Sequence, residues 1–458
     1  MKRLPRPVLS FYGDDFTGST DVMEVLASNG LDTLLFLHRP EAKDIAVARE
    51  RFAAIGIAGI SRSQGVAWMD AELPAIYRAL SEIGAPLCHY KVCSTFDSSP
   101  SIGNIGRAIQ IGRATFKSQT ATPLVVGAPA LRRYTAFGQL FASVGNTHHR
   151  IDRHPTMSMH PSTPMDEADL RLHLARQAPL RIGLYDIVTQ QSSDADKVLS
   201  DQWSDNDVVL LDVLDERSQE CAGRAIWELA ESQAGTLFCA GSSGVEYALV
   251  NHWRKAGYSN IQPTPMRADR VDKIIGISGS CSPVTADQIA AAERDGFACL
   301  RANPLLLLNA ASRAAEERRL QETAYDALAH DRSVLIFTAA GPDDPSLQEV
   351  SRYLLGHGLD HAAAMGRLAR TMGELLRTLV SASGVERVVI AGGDTSGHAV
   401  QALGLTALKM SAALAPGGPL CAGYVRVDER PAIEIALKGG QIGGPRYFAS
   451  VRAGRNLG

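Results

Sequence analysis

The stretch Val388-Val-Ile-Ala-Gly-Gly-Asp-Thr-Ser-Gly-His398 decides the fold class of this chain. An apolar, β-branched run ends at two glycines, and a carboxylate, two hydroxyls and a third glycine follow. We expect a buried strand, a glycine-rich turn and then a helix whose apolar pattern is evident from about Val400. The start of such a helix presents unpaired backbone N–H groups and a positive dipole end to a phosphate. The glycines permit a close approach, and Thr395 and Ser396 can cap the helix or bond phosphate oxygens.

A second stretch favours this phosphate interpretation over the alternative of a plain tight turn. Lys273-Ile-Ile-Gly-Ile-Ser-Gly-Ser-Cys-Ser-Pro283 is again a strand that runs into a glycine and serine turn. Pro283 occupies the expected first helical position. Neither stretch is a Walker A loop or a GxGxxG dinucleotide fingerprint. Two further glycine loops follow apolar runs, at residues 241–244 and 438–444.

Composition limits the classes of protein to which the chain can belong. Its 458 residues favour two domains. The strand–turn–helix stretches predict an α/β fold with a largely parallel sheet flanked by helices in each domain, and we expect the active site in the interdomain cleft. We place the domains at residues 1–255 and 271–458, with a linker at 256–270 that is rich in Gly, Asn and Pro. A net charge of −3 offers no electrostatic footprint for nucleic acid or an anionic membrane. No apolar run reaches the roughly 18 residues of a membrane span, and seven scattered cysteines indicate a reduced, cytoplasmic protein.

The N-terminal region begins with a βαβ unit. Residues 8–12 predict a buried strand, residues 13–20 form the turn after it, and residues 33–37 predict the next strand. Open parallel sheets bind ligands at the carboxyl ends of such strands. The adjacent carboxylates Asp14 and Asp15 would repel a pyrophosphate there and suit sugar hydroxyls, as acceptors or as a general base. The alternative is that one of them merely caps the helix.

Other polar residues of this region are candidates for substrate contacts. Lys91 ends a predicted strand and either holds a substrate carboxylate or is a solvated strand-end lysine. The segment at residues 152–166 is long, contains three prolines and carries Arg153, His154 and His160. Segments of this length without secondary structure are usually functional or disordered. Because no third metal ligand lies nearby in sequence, we assign the segment to substrate or to plain surface and predict no metal site.

The two halves together have the layout of a small-molecule kinase. Carboxylates and a lysine in the N-terminal half suit a polyol, and the glycine and hydroxyl loops of the C-terminal half suit nucleotide phosphates. Phosphoryl transfer requires mainly positioning, charge neutralisation and a base for the attacking hydroxyl, with Mg²⁺ usually carried on the nucleotide. The predicted ligands are therefore an acid sugar, ATP and Mg²⁺, with Asp14 or Asp15 as the base.

The motifs, taken in this order and spacing, resemble those of the four-carbon acid sugar kinases over essentially the whole chain. Residues 13–21 are similar to the N-terminal substrate motif of that family, residues 278–285 and 392–396 to its two ATP signatures, and residues 437–443 to its closing motif. The resemblance implies a two-domain ATP-dependent kinase in which Asp14, Asp15 and Lys91 face the substrate. The predicted ATP-binding residues are Ser278, Ser280, Ser282, Gly392, Gly393, Asp394, Thr395 and Gly439.

One segment departs from the family pattern Lys-x-Asp-Ser-Thr-Leu-Arg-Gly-Asn-Ile-Gly. Cys93 stands where the family has the acid, an insertion follows, and Ile102 replaces the arginine. Since an arginine fork is a natural carboxylate clamp, its loss argues against plain threonate or erythronate, and Arg107 or Arg153 is a candidate replacement. The variant resembles the branch of this kinase family that accompanies RuBisCO-like proteins, which implies a branched 3-oxo acid such as 3-oxo-isoapionate. The four-carbon candidate is 3-oxo-tetronate. The predicted substrate-binding residues are Lys91, Asn104, Arg107, Arg153 and His160.

Two other classes of protein compete with the kinase. The altered segment motivates a non-catalytic sugar-acid or nucleotide sensor that keeps the kinase fold. A dehydrogenase would use the glycine loops for a dinucleotide, but the missing fingerprint and the absence of an acidic residue placed for ribose argue against it. We expect no nucleic-acid or membrane partner and allow for a homodimer.

Overall fold

The computed structural model describes residues 2–117 and 120–457, without the side chain of Asp394, and divides the chain into two compact units, Met1–Thr264 and Pro265–Gly458. Each unit combines a mostly parallel β-sheet with helices, which confirms the predicted α/β class.

The N-terminal unit alternates strands and helices from its first strand onward. Its strands are β1 (Leu9–Gly13), β2 (Thr33–Phe36), β3 (Ala54–Ala58), β4 (Leu87–Lys91), β5 (Thr122–Val125), β6 (Arg133–Ala136), β7 (Gln139–Val144), β8 (Thr147–Arg150), β9 (Ile182–Tyr185), β10 (Val208–Leu211) and β11 (Leu237–Gly241). Its helices are α1 (Phe16–Ala27), α2 (Ala42–Arg51), α3 (Val66–Ile83), α4 (Ile105–Thr115), α5 (Leu170–Ala175), α6 (Ala195–Asp205), α7 (Glu216–Glu231) and α8 (Gly244–Lys255).

The main sheet of this unit is parallel throughout, in the order β2-β3-β1-β4-β11-β5-β10-β9. Its central strands are short apolar runs buried along their whole length, as expected for strands covered on both faces. Because β1 lies between β3 and β4, the segments that leave the carboxyl ends of these strands lie side by side. This edge of the sheet is where the polar residues predicted from sequence gather.

A small antiparallel sheet of β6, β7 and β8 was not predicted. The chain turns from β6 to β7 at Phe137 and Gly138, which both have positive φ (54° and 79°). Such a pair is typical of the tight two-residue turns whose twist matches that of a hairpin. A phenylalanine in the left-handed region is an uncommon turn signal, so this hairpin is difficult to predict from sequence.

The C-terminal unit repeats the alternation. Its strands are β12 (Ile275–Ser278), β13 (Ala298–Arg301), β14 (Val334–Phe337), β15 (Arg387–Ala391), β16 (Ala407–Ala412), β17 (Leu420–Tyr424) and β18 (Ile433–Lys438). Its helices are α9 (Pro283–Arg294), α10 (Pro304–Leu308), α11 (Arg313–Ala329), α12 (Pro345–Gly356), α13 (His361–Ser383), α14 (Gly393–Ala402) and α15 (Tyr447–Ala453). The strand order is β13-β14-β12-β15-β18-β17-β16, with the first five strands parallel and the last two antiparallel to their neighbours.

Two predicted elements of this unit are misplaced. Helix α14 begins at Gly393 and ends at Ala402, whereas the apolar pattern indicated a helix from about Val400. Its first turn consists of glycine and polar residues, so periodicity does not reveal it. Residues 424–427 also predict a strand, but the strand of this region lies earlier, at Leu420–Tyr424, which is mostly buried, while Val425 is exposed.

Candidate active site

The carboxyl ends of β1 and β4 bring Asp14 close to Lys91. The two strands are in register with Gly13 opposite Lys91, and the backbone N–H of Asp14 donates to the carbonyl oxygen of Lys91 at 2.9 Å. The backbone N–H of Arg62, which follows β3, donates to the carbonyl oxygen of Asp14 at 3.0 Å. The ends of three neighbouring strands are therefore joined through the main chain of Asp14.

The side chain of Asp14 is almost fully buried, with 4% of the residue exposed. Its Oδ1 atom has no hydrogen-bond partner among the described atoms. Burial and the neighbouring charge of Asp15 raise the pKa of Asp14 to about 8, against the opposing effects of Lys91 and Arg62. A carboxylate with a pKa near neutrality and a free oxygen has the properties of a general base.

Both carboxylate oxygens of Asp15 have a partner, unlike those of Asp14. Its Oδ1 atom accepts a hydrogen bond from the backbone N–H of Gly18 at 2.6 Å and so caps helix α1. Its Oδ2 atom forms an ion pair with Nη1 of Arg62 at 3.0 Å. The capping alternative that the sequence left open therefore describes Asp15 rather than Asp14.

Arg62 links Asp15 to a second carboxylate, Asp97. Nη2 of Arg62 donates to both carboxylate oxygens of Asp97, at 3.0 and 2.8 Å. The hydroxyl of Thr95 donates to Asp97 at 2.5 Å. Although burial raises the pKa of Asp97, the charge of Arg62 and these hydrogen bonds lower it on balance. Asp97 is therefore held as a carboxylate at neutral pH, four residues after the position where Cys93 replaces an acid.

Lys91 is buried among carboxylates. Its Nζ atom donates to the carbonyl oxygen of Val92 at 2.9 Å. Burial lowers the pKa of Lys91, but the charges of Asp21, Asp15 and Asp14 outweigh that effect and raise it. Gly18 makes the packing possible, because a Cβ atom there would lie 2.8 Å from Nζ of Lys91. The solvated-lysine alternative does not describe this side chain.

The other predicted substrate residues occupy different positions. Asn104 is buried and caps α4 by accepting from the backbone N–H of Arg107 at 2.6 Å. The guanidinium of Arg107 binds Asp70 of α3 through Nε at 2.6 Å. Arg153 is exposed and follows β8 in a short 3₁₀ turn. The described contacts do not bring these three side chains to the Asp14 and Lys91 cluster, and their assignment to substrate stays a prediction.

His160 connects the long segment at residues 152–166 to the cluster. Its Nδ1 atom accepts from the backbone N–H of Thr163 at 3.1 Å and contacts the Thr163 hydroxyl at 3.0 Å. That hydroxyl in turn donates to Asp97 at 3.3 Å. Thr163 therefore links His160 to the Asp97 carboxylate, which in turn binds Arg62. Nδ1 of His154, in contrast, accepts hydrogen bonds from the backbone N–H groups of Thr156 and Met157 in its own turn, at 3.2 Å each.

The glycine loops of the C-terminal unit leave three adjacent parallel strands. Ser278 of β12 lies opposite Ala391 of β15, and Ala391 lies opposite Lys438 of β18. The loops after these strands therefore begin at the same level of the sheet. Backbone hydrogen bonds at 3.0 Å tie them together, from Gly279 to Ala391 and from Gly392 to Lys438.

Hydroxyl groups fasten the first loop to the third. Ser282 caps α9 by accepting from the backbone N–H of Thr285 at 3.2 Å, and its hydroxyl donates to the carbonyl oxygen of Gly440 at 2.6 Å. The hydroxyl of Thr285 donates to the same carbonyl oxygen at 2.9 Å, and it contacts the buried hydroxyl of Ser280 at 3.0 Å. The predicted residues Ser280 and Ser282 thus lie beside the third loop.

The second loop packs on the first through glycine. A Cβ atom on Gly279 would lie 2.2 Å from the Thr395 hydroxyl oxygen, so a larger residue there would displace the Thr395 side chain. Gly392 has φ 117°, a value that favours glycine, and lies against the backbone of Ser280. Gly393 opens α14 with no atom within 4 Å of its Cβ position.

The remaining predicted ATP residues lie on the same loops. Ser278 is buried, and its hydroxyl accepts from the backbone N–H of Ser280 at 3.3 Å. Gly439 follows β18 directly. Asp394 lies in the first turn of α14, and its side chain is outside the described part of the structure. This edge of the sheet therefore combines the start of α14, which has no side-chain cap, with close-packed loops, and both suit phosphate oxygens.

Sequence reasoning missed four residues of these two clusters: Arg62, Asp97, Thr285 and Lys438. A signal existed for Arg62, because the apolar run at residues 54–58 predicts a strand shortly before it and ligands bind at strand ends. Asp97 had no such signal, since only the folded chain shows that it turns toward Arg62.

Metal-ligand clusters and membrane helices are absent from the described residues. No group of three or more His, Cys, Asp or Glu side chains among them is placed to hold a metal ion. Within the same residues, every helix is too short or too polar to cross a bilayer.

Two family models match the two parts of the chain that hold these clusters. A model described as a sugar-binding N-terminal domain matches residues 9–249, and one described as a nucleotide-binding C-terminal domain matches residues 275–448. The matched regions contain the Asp14 cluster and the three glycine loops, respectively. They define a two-domain protein that combines sugar binding with nucleotide binding. The chain belongs to the four-carbon acid sugar kinase family.

Curated relatives cover nearly the whole chain. It is 45% identical to a 3-oxo-isoapionate kinase of Paraburkholderia graminis, over 98% of this chain and 95% of that protein. It is 31% identical to a 3-oxo-tetronate kinase of Cupriavidus necator, over 97% and 96% of the two chains. A crystal structure from Salmonella typhimurium LT2 has a TM-score of 0.77 at 25% identity, over 98% of each chain. These findings confirm the family expected from the motifs, and the protein is a sugar-acid kinase.

Proposed function

We propose that this sugar-acid kinase transfers the γ-phosphoryl group of ATP to a hydroxyl of a 3-oxo acid sugar, with 3-oxo-isoapionate as the first candidate substrate. The name of the 45% identical relative supports the branched acid, and the names of the more distant relatives make 3-oxo-tetronate the alternative. The substitution of Cys93 and Ile102 for an acid and an arginine supports a substrate that differs from plain threonate.

Asp14 is the base in this proposal. The observation that carries the assignment is the buried Oδ1 atom, which has no hydrogen-bond partner among the described atoms, on a carboxyl whose pKa is raised to about 8. Asp15 is less suited, because its two oxygens are occupied by the Gly18 N–H and by Arg62. A substrate hydroxyl would replace the missing partner of Oδ1. It would give its proton to Oδ1 as its oxygen bonds to the γ-phosphorus and the bond from that phosphorus to ADP breaks.

The substrate carboxylate requires a cation, and two are available in the cluster. Lys91 is held charged by its carboxylate neighbours, and Arg62 has N–H groups beyond those that bind Asp15 and Asp97. A guanidinium can bind a carboxylate through two parallel hydrogen bonds. We assign Arg62 the role of the arginine lost at Ile102, in preference to Arg107, whose Nε binds Asp70.

The three glycine loops are the proposed ATP site. Their fit to a polyphosphate is supported by the close packing of Gly279 on Thr395 and by a buried ammonium, Lys438, beside the loops. Mg²⁺ bound to the nucleotide would neutralise phosphate charge during transfer. Because Mg²⁺ keeps most of its ligands as water and phosphate oxygens, a dedicated protein cage is not required. Assembly as a homodimer and a cytoplasmic location stay predictions.

The first experiment is an ADP-release assay with Mg·ATP and a panel of four-carbon and branched five-carbon sugar acids and their 3-oxo forms. We expect turnover with 3-oxo-isoapionate and a much lower kcat/KM with threonate. Preferred turnover of 3-oxo-tetronate would correct the substrate and leave the kinase intact.

Binding measured on the same preparation separates the kinase from the competing sensor. Tight binding of Mg·ATP and of a 3-oxo acid with no ADP release across the panel would favour the sensor. The kinase relatives argue against that outcome.

A further inference from the structure

Lys438 has a position that the proposed ATP residues do not explain. It is the last residue of β18, and it leads into the third glycine loop. Only 2% of the residue is exposed. Its Nζ atom donates to the hydroxyl of Thr285 at 3.0 Å and approaches the carbonyl oxygen of Gly440 at 3.4 Å. The ammonium therefore lies between the first and the third loop, at the edge of the sheet where we place the nucleotide.

The neighbours of Lys438 are neutral or aromatic. The ring of Tyr447 lies under the ammonium, with its centroid 5.9 Å from Nζ. The titratable side chains on the elements around it are Asp287, Glu293 and Arg294 of α9, Arg387 of β15, Asp394 and His398 of α14, and Tyr447 and Arg452 of α15. Strand β17 carries Cys421 and Tyr424 and has no acidic or basic side chain.

No carboxylate among the described side chains forms an ion pair with Lys438. Asp287 is exposed on α9, and Glu434, the acid on β18 itself, pairs with Arg387 at the amino ends of the two strands. Burial without a compensating charge lowers the pKa of Lys438 to about 8. A buried ammonium in this situation is costly unless an anion neutralises it.

We propose that Lys438 is the anion receptor of the nucleotide site, and that its ammonium binds the phosphate chain of ATP. The inference rests on the proposed function of the three loops and adds a cation to their backbone and hydroxyl groups. Loop N–H groups and hydroxyls orient phosphate oxygens, and the ammonium supplies the counter-charge. The bound polyphosphate stabilises the charged form of the lysine, so binding at pH 8 takes up part of a proton from solution.

The test is calorimetric titration of the full chain with Mg·ATP in the absence of sugar acid. Two buffers of different ionisation enthalpy at pH 8 give the number of protons taken up. For the wild type we expect uptake of about half a proton, because a group with a pKa near 8 is about half charged at that pH. We expect Lys438→Met to weaken binding by about 30-fold or more and to abolish the uptake, because truncating one side of a buried charge pair is costly.

Two further variants distinguish charge from structure. Lys438→Arg keeps the charge, so binding should fall by less than about tenfold. Lys273→Met removes another lysine of the same unit, which pairs with Asp331 at 3.0 Å and is partly exposed, and should bind Mg·ATP like the wild type.

The possible outcomes distinguish a failure of the role of Lys438 from a failure of the proposed nucleotide site. If Lys438→Met binds Mg·ATP as tightly as the wild type, the inference is overturned while the nucleotide site stands. If the wild type does not bind Mg·ATP at all, both fail. If Lys438→Met does not fold, as judged by circular dichroism, the proton uptake of the wild type decides: its absence at pH 8 overturns the inference.

Discussion

The two candidate sites use the carboxyl ends of parallel strands in different ways. The N-terminal unit has a cluster of ionisable side chains, of which three are buried and two partly exposed: Asp14, Lys91 and Asp97, and Asp15 and Arg62. In the C-terminal unit, main-chain groups and the hydroxyls of Ser280, Ser282 and Thr285 form most of the site, and Lys438 supplies the charge.

The difference follows from what each site would bind. A polyphosphate offers many equivalent oxygens, which backbone N–H groups and one cation can hold without distinguishing among them. A small sugar acid has one carboxylate, a carbonyl and a few hydroxyls, so recognition requires donors and acceptors in fixed directions. Substitutions of the acidic residues should therefore act mainly on the sugar-acid side, and substitutions of the loop glycines mainly on the nucleotide side.

The largest expected effect concerns the base. Asp14→Asn should lower kcat by about 10³-fold, because general-base catalysis typically contributes 10²- to 10⁴-fold. ATP binding, measured by calorimetry, should be unchanged. Asp15→Asn is the matched variant, and it should act more weakly and partly through the cap of α1. An active Asp14→Asn enzyme together with a dead Asp15→Asn enzyme would transfer the role of base to Asp15.

A change of shape should affect the nucleotide side next. Gly279→Ala places a Cβ atom 2.2 Å from the Thr395 hydroxyl oxygen and must displace that side chain at the contact between the first two loops. We expect the KM for ATP to rise by about 10²-fold, with a small change in the KM for the sugar acid. Gly356→Ala is the control, since no atom lies within 4 Å of its Cβ position. Equal changes in both KM values would show that the loops do not serve the nucleotide alone.

A smaller effect is expected at Asp97. Asp97→Asn removes the charge that holds Nη2 of Arg62 through two hydrogen bonds. The guanidinium should lose its fixed orientation, and the KM for the 3-oxo acid should rise by about tenfold, close to the cost of one charge-assisted hydrogen bond. Steady-state kinetics with each substrate varied in turn checks this, and a rise confined to the KM for ATP would contradict it.

The pH dependence of stability should show the smallest effect. The folded pKa of Asp14, about 8, lies above the ordinary value of 3.8, so its favourable contribution is present below about pH 4 and is lost as the pH rises through 8. Asp14→Asn should therefore melt at a higher temperature than the wild type at pH 8.5, and the gap should narrow at pH 5. Differential scanning calorimetry at both pH values measures it. A variant that is less stable at pH 8.5 would indicate that the carboxylate is stabilised by its neighbours.

Much of the fold could be predicted from the sequence, because the buried strands are continuous apolar runs that end at glycine or polar turns. Strands β1, β12, β15 and β18 lie where those runs lie. Helix α14 was misplaced because its first turn, Gly-Asp-Thr-Ser, has no apolar period, and the hairpin at Phe137 was missed because its turn lacks the usual residues.

The sites were less predictable than the fold, and for a different reason. Asp14, Asp15 and Lys91 could be placed together because they end neighbouring strands. Arg62 and Asp97 meet across 35 residues of sequence, and no local pattern encodes that contact. The burial of Lys438 is also invisible in the sequence, since it depends on Thr285 and Tyr447 packing around it.

The order in which the nucleotide loops occur along the chain has a consequence for protein synthesis. Loop one follows Ser278, loop two follows Ala391, and loop three, with its ammonium, begins only at Lys438. When the ribosome has synthesised β12 and β15, the first two loops exist, but β18, which pairs with β15 on the side away from β12, has not yet been made. A nascent or truncated chain that ends before β18 should therefore be unable to bind ATP and hydrolyse it without substrate.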